Sequence, residues 1–274
     1  MAAWSECASG ETTLWFWNSE LGWAKVHHLL EEFGWEFRNC HIWDKGIAHA
    51  AGNSNGKTLR KFPTVTEVCV QYTKKAFFKF EGTLLPAKQW LRAEWERTGL
   101  PLYEANEACG VKNAASRKYL TRDHMWYFPP PEPFGKLVEY ANEHGRPEGR
   151  PYFSVDGERP LTEEQWSHMR AKFNFENGIT NVWRENAVRG EERISTRDSC
   201  AHMNQKPLSL IKLCIRASSD PGDVVWEPFG GLCTAAVAAY HLERPCYAAE
   251  INHEYFELAC QRLREAREEL ALFH

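Results

Sequence analysis

Two acids and a glycine pair near the C-terminus form the stretch best suited to chemistry. Val224-Val225-Trp226-Glu227-Pro228-Phe229-Gly230-Gly231 runs into an alanine-rich segment and then into Cys246-Tyr247-Ala248-Ala249-Glu250. The order reads as strand, glycine turn, helix, strand, acid. Val224 to Trp226 is a short apolar run suited to a buried parallel strand. Gly230 and Gly231 allow a sharp turn and a close approach of a ligand to the main chain. In open parallel sheets ligands sit at the carboxyl ends of the strands, where Glu250 falls, and a carboxylate there can accept from both hydroxyls of a ribose. A phosphate-binding loop would carry a lysine and would not carry Glu227. That acid instead suits a cationic group, such as an amine or a sulfonium. The plainer reading is an ordinary α/β turn with no ligand.

Just upstream lies His202-Met203-Asn204-Gln205-Lys206-Pro207-Leu208. With the glycine turn, this segment resembles the cofactor half of the amino-methylating (N6-adenine or N4-cytosine) DNA methyltransferases. Those enzymes place a Gln-Lys-Pro segment ahead of an Asp-Pro-Phe-x-Gly-x-Gly-like turn. Here Glu227 stands for the aspartate, and Leu232-Cys233 replaces Ser-Gly, so one turn glycine is lost. The resemblance implies S-adenosylmethionine as cofactor. Glu250 would hold the ribose, and Phe229, Gly230 and Gly231 would line the methionine side. Glu227, followed by Pro228, would lie near the cationic groups, and Asn204, Gln205, Lys206 and Pro207 would close the pocket.

A second block also resembles the family. Its members end one strand with Trp-x-Lys, follow it with a basic loop and start the next strand with a glutamate. Here these are Trp43, Lys45, Lys57 and Arg60 in the loop region, and Glu67. In the family this loop lies by the target base and the DNA backbone, which makes Lys45, Lys57 and Arg60 DNA-contact candidates. The alternative is a surface ion pair among Asp44, Lys45 and Glu67, of little energetic weight.

The elements that must position these residues follow from the pattern. Thr12 to Trp17 reads as a strand, capped by Asn18 or Ser19 into a helix from Leu21 to Phe33 that Gly34 ends. Phe37 to Trp43 and Thr66 to Tyr72 read as an antiparallel pair at a sheet edge. Trp90 to Gly110 is helical with a break at Gly99-Leu100-Pro101. Leu102 to Ala108, a turn at Cys109-Gly110 and Val111 to Leu120 read as a helix–turn–helix. Its second helix would show Lys112, Asn113, Ser116, Arg117 and Lys118, residue types that read base edges or grip phosphate. The competing reading is a helical hairpin with a solvated basic face. Met125 to Phe134 reads as extended, Leu137 to His144 as a short helix, and Leu161 to Phe173 as an amphipathic helix capped by Thr162 and Gln165. Arg146 and Arg150 are further phosphate candidates. Asn177 to Arg184 resembles the family's Val-Trp segment, which leads back to the cofactor half. A final helix, Tyr255 to Leu272, has no evident chemistry.

The bulk properties set limits. The 274 residues are 43% hydrophobic, enough for one large domain or one domain with a sizeable insertion. A net charge of −4 and a pI of about 6.3 mean that nucleic-acid binding would need local basic patches. Nine cysteines with no Cys-x-x-Cys argue against a disulfide framework or a structural zinc site and suit reduced thiols in the cytoplasm. No metal site is expected, and no apolar run reaches membrane-spanning length.

The family's catalytic Asp-Pro-Pro-aromatic tetrapeptide does not occur. Phe128-Pro129-Pro130-Pro131-Glu132 lacks the polar residue and the aromatic in their places and reads as structural. A second polypeptide carrying the motif, a truncated product and a catalytically inactive relative all fit. The expected fold is an α/β, Rossmann-like S-adenosylmethionine-dependent methyltransferase sheet with an inserted, mainly helical target-recognition region. The expected divisions are residues 1–84, 85–179 and 180–274. The expected function is methyl transfer from S-adenosylmethionine to adenine N6 or cytosine N4 of double-stranded DNA, by a bacterial or phage-encoded cytoplasmic enzyme. The competing class is a non-catalytic, sequence-specific DNA-binding subunit on the same scaffold.

Overall fold

A computed structural model describes residues 2–50, 58–147, 149–194 and 204–271. In chain order the elements are α1 (Ala2–Glu6), β1 (Thr13–Asn18), α2 (Glu20–Glu32), β2 (Trp35–Asp44), β3 (Thr66–Lys74), β4 (Phe77–Phe80) and β5 (Thr83–Pro86). The middle holds α3 (Ala87–Thr98), α4 (Glu104–Ala108), α5 (Pro131–His144) and α6 (Glu163–Ser167). The last part holds β6 (Val182–Arg184), α7 (Leu208–Ser218), β7 (Val225–Glu227), α8 (Thr234–His241), β8 (Cys246–Ala248) and α9 (His253–Ala271). The chain divides into two compact units, one of Met1–Thr12, Leu30–Glu36 and Thr73–Ala171, the other of Thr13–Leu29, Phe37–Tyr72 and Lys172–His274.

The second unit carries the sheets. The four-stranded sheet has the order β1-β3-β2-β6. β2 and β6 are parallel, with Trp43 opposite Trp183. β2 and β3 run antiparallel, since Lys45 donates its N–H to Val65 at one end of the pair and Lys75 to Gly34 at the other. The expected antiparallel pair therefore forms, but in the middle of the sheet. The edges are β1 and β6, because the short Val182–Arg184 strand adds beyond β2. Val68 to Thr73 are buried in succession, so β3 needs cover on both faces. Leu210 and Cys214 of α7 cover Trp43, Cys69 and Trp183. On the other side, Trp23 Nε1 of α2 donates to the Tyr72 hydroxyl at 2.7 Å, and His27 Nδ1 lies 2.9 Å from it. Ser19 accepts the Gly22 N–H at 3.2 Å and so caps α2.

β7 and β8 form a separate two-stranded parallel sheet with Trp226 opposite Tyr247. The alanines of α8 let it pack tightly. Ala238 and Ala239 meet Ile211 and Ile215 of α7, and Val225, Cys246 and Trp17 join the same cluster.

The first unit is mainly helical and is built on an aromatic stack. Trp166 lies 4.1 Å from Phe134 and 4.3 Å from Phe128 between ring centroids, and Phe78 lies 4.4 Å from Trp90. Pro131 opens α5 with Pro130 at its cap, so the proline run starts a helix longer than the sequence pattern suggests, the fixed proline φ being preset for a first turn. The helix expected over Leu161 to Phe173 ends at Ser167. Its Thr162–Gln165 capping box forms as expected. Beyond it, Lys172 and Asn174 are drawn into contacts with Asp220, Asp223 and the end of α7, which compete with further helical turns. Among the described residues, no helix is long and apolar enough to cross a membrane and no cluster of His, Cys, Asp or Glu could hold a metal.

Glu94 is fully buried in this unit. It accepts from Arg97 at 2.9 Å, from the Phe153 amide at 2.9 Å and from Arg150. Arg150 is thus held in the core cluster and is not a free phosphate ligand. Glu94→Ala, which leaves two arginines beside an emptied site, is expected to cost about 3–5 kcal/mol in urea unfolding. A loss below about 1 kcal/mol, the worth of an exposed pair, would remove this cluster from the unit's core.

Candidate cofactor and nucleic-acid sites

The glycine turn is tied to the second acid directly. Gly231 donates its N–H to Glu250 Oε2 at 2.6 Å, and Asn252 donates to Glu250 Oε1 at 2.8 Å. Gly230 donates to the Ala249 carbonyl at 2.7 Å. A Cβ on Gly230 would meet Cys233 Sγ at 2.9 Å and the Ala249 oxygen at 3.2 Å, so that position needs glycine. Gly231 has φ +54°. Cys233, where the resembling turns have glycine, also lies in the left-handed region with φ +51°. A side chain there costs about 1–2 kcal/mol.

Glu227 ends β7 under the first turn of α8. Its Oε1 receives the Ala235 N–H at 3.4 Å, while Oε2 is buried with no partner. Burial pushes the carboxyl up to about 7. The amides of Ala235 and Ala236 and the charge of Arg262 pull it down by less, and Glu250 adds to the rise. A buried carboxylate oxygen without a donor, beside a second carboxylate and a turn bare of side chains, suits a cationic group attached to a sugar. Phe229 stands 81% exposed at this turn, an open aromatic face. Pro228 is half-buried between them.

Arg262 of α9 was not marked by the sequence. Its guanidinium donates to the Leu232 carbonyl at 3.0 Å and to Thr234 Oγ1 at 2.9 Å, bracing the turn. It also lies in the field of Glu192 and Glu227. One arginine among several on a charged helix gives no periodic signal, so only the fold shows its role.

The Gln-Lys-Pro segment is fastened from both sides. Gln205 is buried, accepting from the Ile194 amide at 3.2 Å and donating to the Glu192 carbonyl at 2.7 Å. Pro207 caps α7, and Leu208 donates its N–H to Glu192 Oε1 at 2.7 Å. Asn204 is exposed at the preceding turn. Lys206 turns to Glu67, 2.6 Å from Oε2, and Lys45 Nζ lies 2.5 Å from Oε1 of the same carboxylate. The Lys45–Glu67 ion pair weighed from the sequence forms, and the Gln-Lys-Pro segment, marked separately, joins it at Glu67.

The DNA-contact candidates are dispersed between the two units. Lys45 is engaged by Glu67 and lies 4.8 Å over the Trp43 ring. Arg60 is exposed and donates to the Leu59 carbonyl. Lys57 lies outside the described residues. The helix–turn–helix is not formed as expected. α4 has five residues, and Ala115–Tyr119 is a single π turn. Asn106 holds that turn by accepting the Ser116 N–H and donating to Ser116 Oγ, each at 3.0 Å. Ser116 is thus structural, while Lys112, Asn113, Arg117 and Lys118 remain exposed.

The acid-flanked glycine turn lies at the strand ends of the parallel β7–β8 pair, the edge at which open α/β sheets take ligands. The family model described as "DNA methylase" (N6_N4_Mtase) matches residues 8–261, and the chain belongs to that family. Type II methyltransferase M.HinfI of Haemophilus influenzae is 38% identical over 95 residues, 34% of this chain and 26% of that protein. DNA adenine methyltransferase YhdJ of Escherichia coli (strain K12) is 31% identical over 117 residues, 40% of each. These matches span well under half of either relative. Type II methyltransferase M1.MboII of Moraxella bovis is 23% identical over 90% of this chain and 70% of its own. The crystal structure of the M1.HpyAVI–SAM complex shares the fold, with a TM-score of 0.50 at 16% identity, over 96% of this chain and 79% of that one.

An unfolded glutamate titrates near 4.5, whereas Glu227 titrates near 7 in the fold. Its contribution to stability is therefore complete below 4.5 and lost as pH rises through about 7, a change of about 3 kcal/mol. Thermal unfolding between pH 5 and 8 should show this fall in the wild type, and Glu227→Gln should remove it. An equal slope in both proteins would assign the pH dependence to other groups.

Proposed function

We propose that this chain binds S-adenosylmethionine at the Glu227–Gly231 turn and serves transfer of its methyl group to an exocyclic amino group, adenine N6 or cytosine N4, of double-stranded DNA. The observation that carries this reading is the pair of carboxylates around the turn, Glu250 tied to Gly231 and Glu227 buried with a free oxygen, in a chain of the DNA methylase family. The names of the relatives as type II and DNA adenine methyltransferases agree with it.

The chain's residues fit the cofactor. Glu250 has lone pairs left for ribose hydroxyls after accepting its two amides. The free oxygen of Glu227 faces the cationic side, and Gly230 and Gly231 admit the ligand to the backbone. Phe229 covers it with an aromatic face, and Asn204 to Pro207 close the pocket. When bound, the cofactor supplies an electrophilic methyl group. A target base reaches such a site by leaving the stack. Arg60, Lys112, Asn113 and Arg117 are the exposed side chains proposed for DNA, with the region 85–179 as the target-recognition insertion between the halves 1–84 and 180–274. The setting proposed is the bacterial cytoplasm.

A second polypeptide supplying the catalytic side chains is also part of the proposal. Among the described residues β7 has one hydrogen-bonded neighbour, and Val224, Trp226 and Tyr247 are 63%, 48% and 66% exposed. A further strand would pair with that edge and cover those side chains.

Calorimetric titration of the full chain with S-adenosylmethionine is expected to show binding that weakens about fivefold from pH 7 to pH 6, as protonation removes the charge of a Glu227 carboxyl pushed up to about 7. Glu250→Ala should weaken it at least about tenfold at either pH. Normal binding by Glu250→Ala would remove Glu250 from the site, and absence of binding by the wild type would overturn the reading. Transfer of labelled methyl to an unmodified duplex then tests the reaction itself.

A further inference from the structure

Glu67 stands at the start of β3 and presents one carboxylate oxygen to each of two lysines. Lys45 Nζ is 2.5 Å from Oε1 and Lys206 Nζ is 2.6 Å from Oε2. The three side chains are only 10%, 19% and 20% exposed for Lys45, Lys206 and Glu67. Both ammonium groups also lie over aromatic faces, Lys206 at 5.7 Å from Trp43 and 5.8 Å from Trp17, Lys45 at 4.8 Å from Trp43. Trp43 is in turn fixed by its indole N–H to the Glu185 carbonyl at 2.7 Å. Burial alone would raise the Glu67 carboxyl, but the lysine hydrogen bonds and charges outweigh it and hold the group below the usual range.

One anion therefore holds two cations that share a ring. Without it, two like charges would remain side by side with little water to screen them, and like charges at contact repel strongly where the dielectric is low. The lysines belong to different parts of the chain. Lys45 continues from β2, and its N–H is bonded to the Val65 carbonyl just before Glu67. Lys206 lies between buried Gln205 and Pro207, the cap of α7. Among the described residues, Gln205 and Leu208 of this segment are hydrogen-bonded to Glu192 and Ile194, close by in sequence. Its ion pair to the sheet runs through Glu67.

From this geometry we infer that Glu67 is a positioning residue for the cofactor pocket: it clamps Lys206 against Lys45 and Trp43 and so sets where the Asn204–Pro207 segment, assigned above to that pocket, sits. Glu67 need not touch the cofactor to act this way, and its role rests on the cofactor reading given above. It follows that Glu67 acts through Lys206. Loss of either partner frees the segment, and loss of both adds nothing beyond the larger single loss.

The test is a double-mutant cycle on S-adenosylmethionine affinity, using Glu67→Gln, Lys206→Met and the pair, in the full chain. Circular dichroism below the unfolding transition confirms that each variant is folded, and Glu67→Asp serves as the conservative variant. Each single substitution is expected to weaken the cofactor about tenfold, the loss that goes with one charge-assisted hydrogen bond. The double variant is expected to be no weaker than the singles, and Glu67→Asp is expected to recover part of the affinity. A role confined to general stability would lower the melting temperature and leave the affinity cycle flat. Wild-type affinity in Glu67→Gln, or multiplied losses in the double variant, overturns the inference and leaves the functional reading standing. No cofactor binding by the wild type overturns both.

Discussion

The β7–α8–β8 unit is built around a carboxylate oxygen buried without a partner. Glu227 must leave water because it ends a strand beneath a helix, and only backbone amides of α8 answer it. Arg262, the cation near enough to neutralise it, directs its guanidinium to the Leu232 carbonyl and Thr234 instead. The arrangement leaves Glu227 Oε2 without a donor. A buried acceptor in that state costs free energy until a ligand supplies charge or a proton. The strain is local, and the rest of the turn is braced to bear it. Glu250 gathers two amides, Gly230 bonds across to β8, and α9 reaches back through Arg262.

The Glu67 cluster is the opposite solution to the same problem. It too lies in a largely desolvated place, but each oxygen of its carboxylate has a lysine. Its charge is satisfied within the chain, whereas one oxygen of Glu227 has no hydrogen-bond partner. The pairing also explains why Lys45 is a weak candidate for reaching DNA: its charge is engaged, and withdrawing it would strand Glu67 with half its partners.

The sequence made the strands, the turn and the convergence of acids legible because each has a local signature. An apolar run ending in an acid, two glycines and an alanine-rich helix mark the β7–α8–β8 unit, but the burial expected of Val224 to Trp226 is not found: Val224 and Trp226 are exposed, because among the described residues β7 pairs with β8 alone. What stayed hidden depends on distant contacts. The helix predicted through Phe173 stops early because Lys172 and Asn174 find partners around Asp220 and Asp223. The recognition helix predicted over Val111 to Leu120 shrinks to a π turn because the Asn106 side chain bonds Ser116 across the Gly110 turn. Helical periodicity records which residues are apolar, and it does not record a side-chain amide competing for the backbone. Arg262 was hidden in the same way, as one charge on a polar helix face, and so was the pairing of Glu67 with Lys206, since the sequence marked Glu67 only beside Lys45.

Cys233 shows which features of the glycine turn are required. Its left-handed φ would be easiest for glycine, yet a side chain is present. Its N–H bonds to Gly230 O at 2.7 Å, its thiol packs with Ala236 and Ala259, and Arg262 holds the neighbouring Leu232 carbonyl. Together these contacts outweigh a conformational cost of about 1–2 kcal/mol. Gly230 has no such latitude, because a Cβ there would press on the Ala249 carbonyl and on the Cys233 sulfur. Backbone conformation can be compensated by packing around it, but the space between two strand ends cannot. A turn that keeps Gly230, Gly231 and both acids while losing its last glycine therefore keeps the close approach of the two strand ends and the Gly231–Glu250 bond.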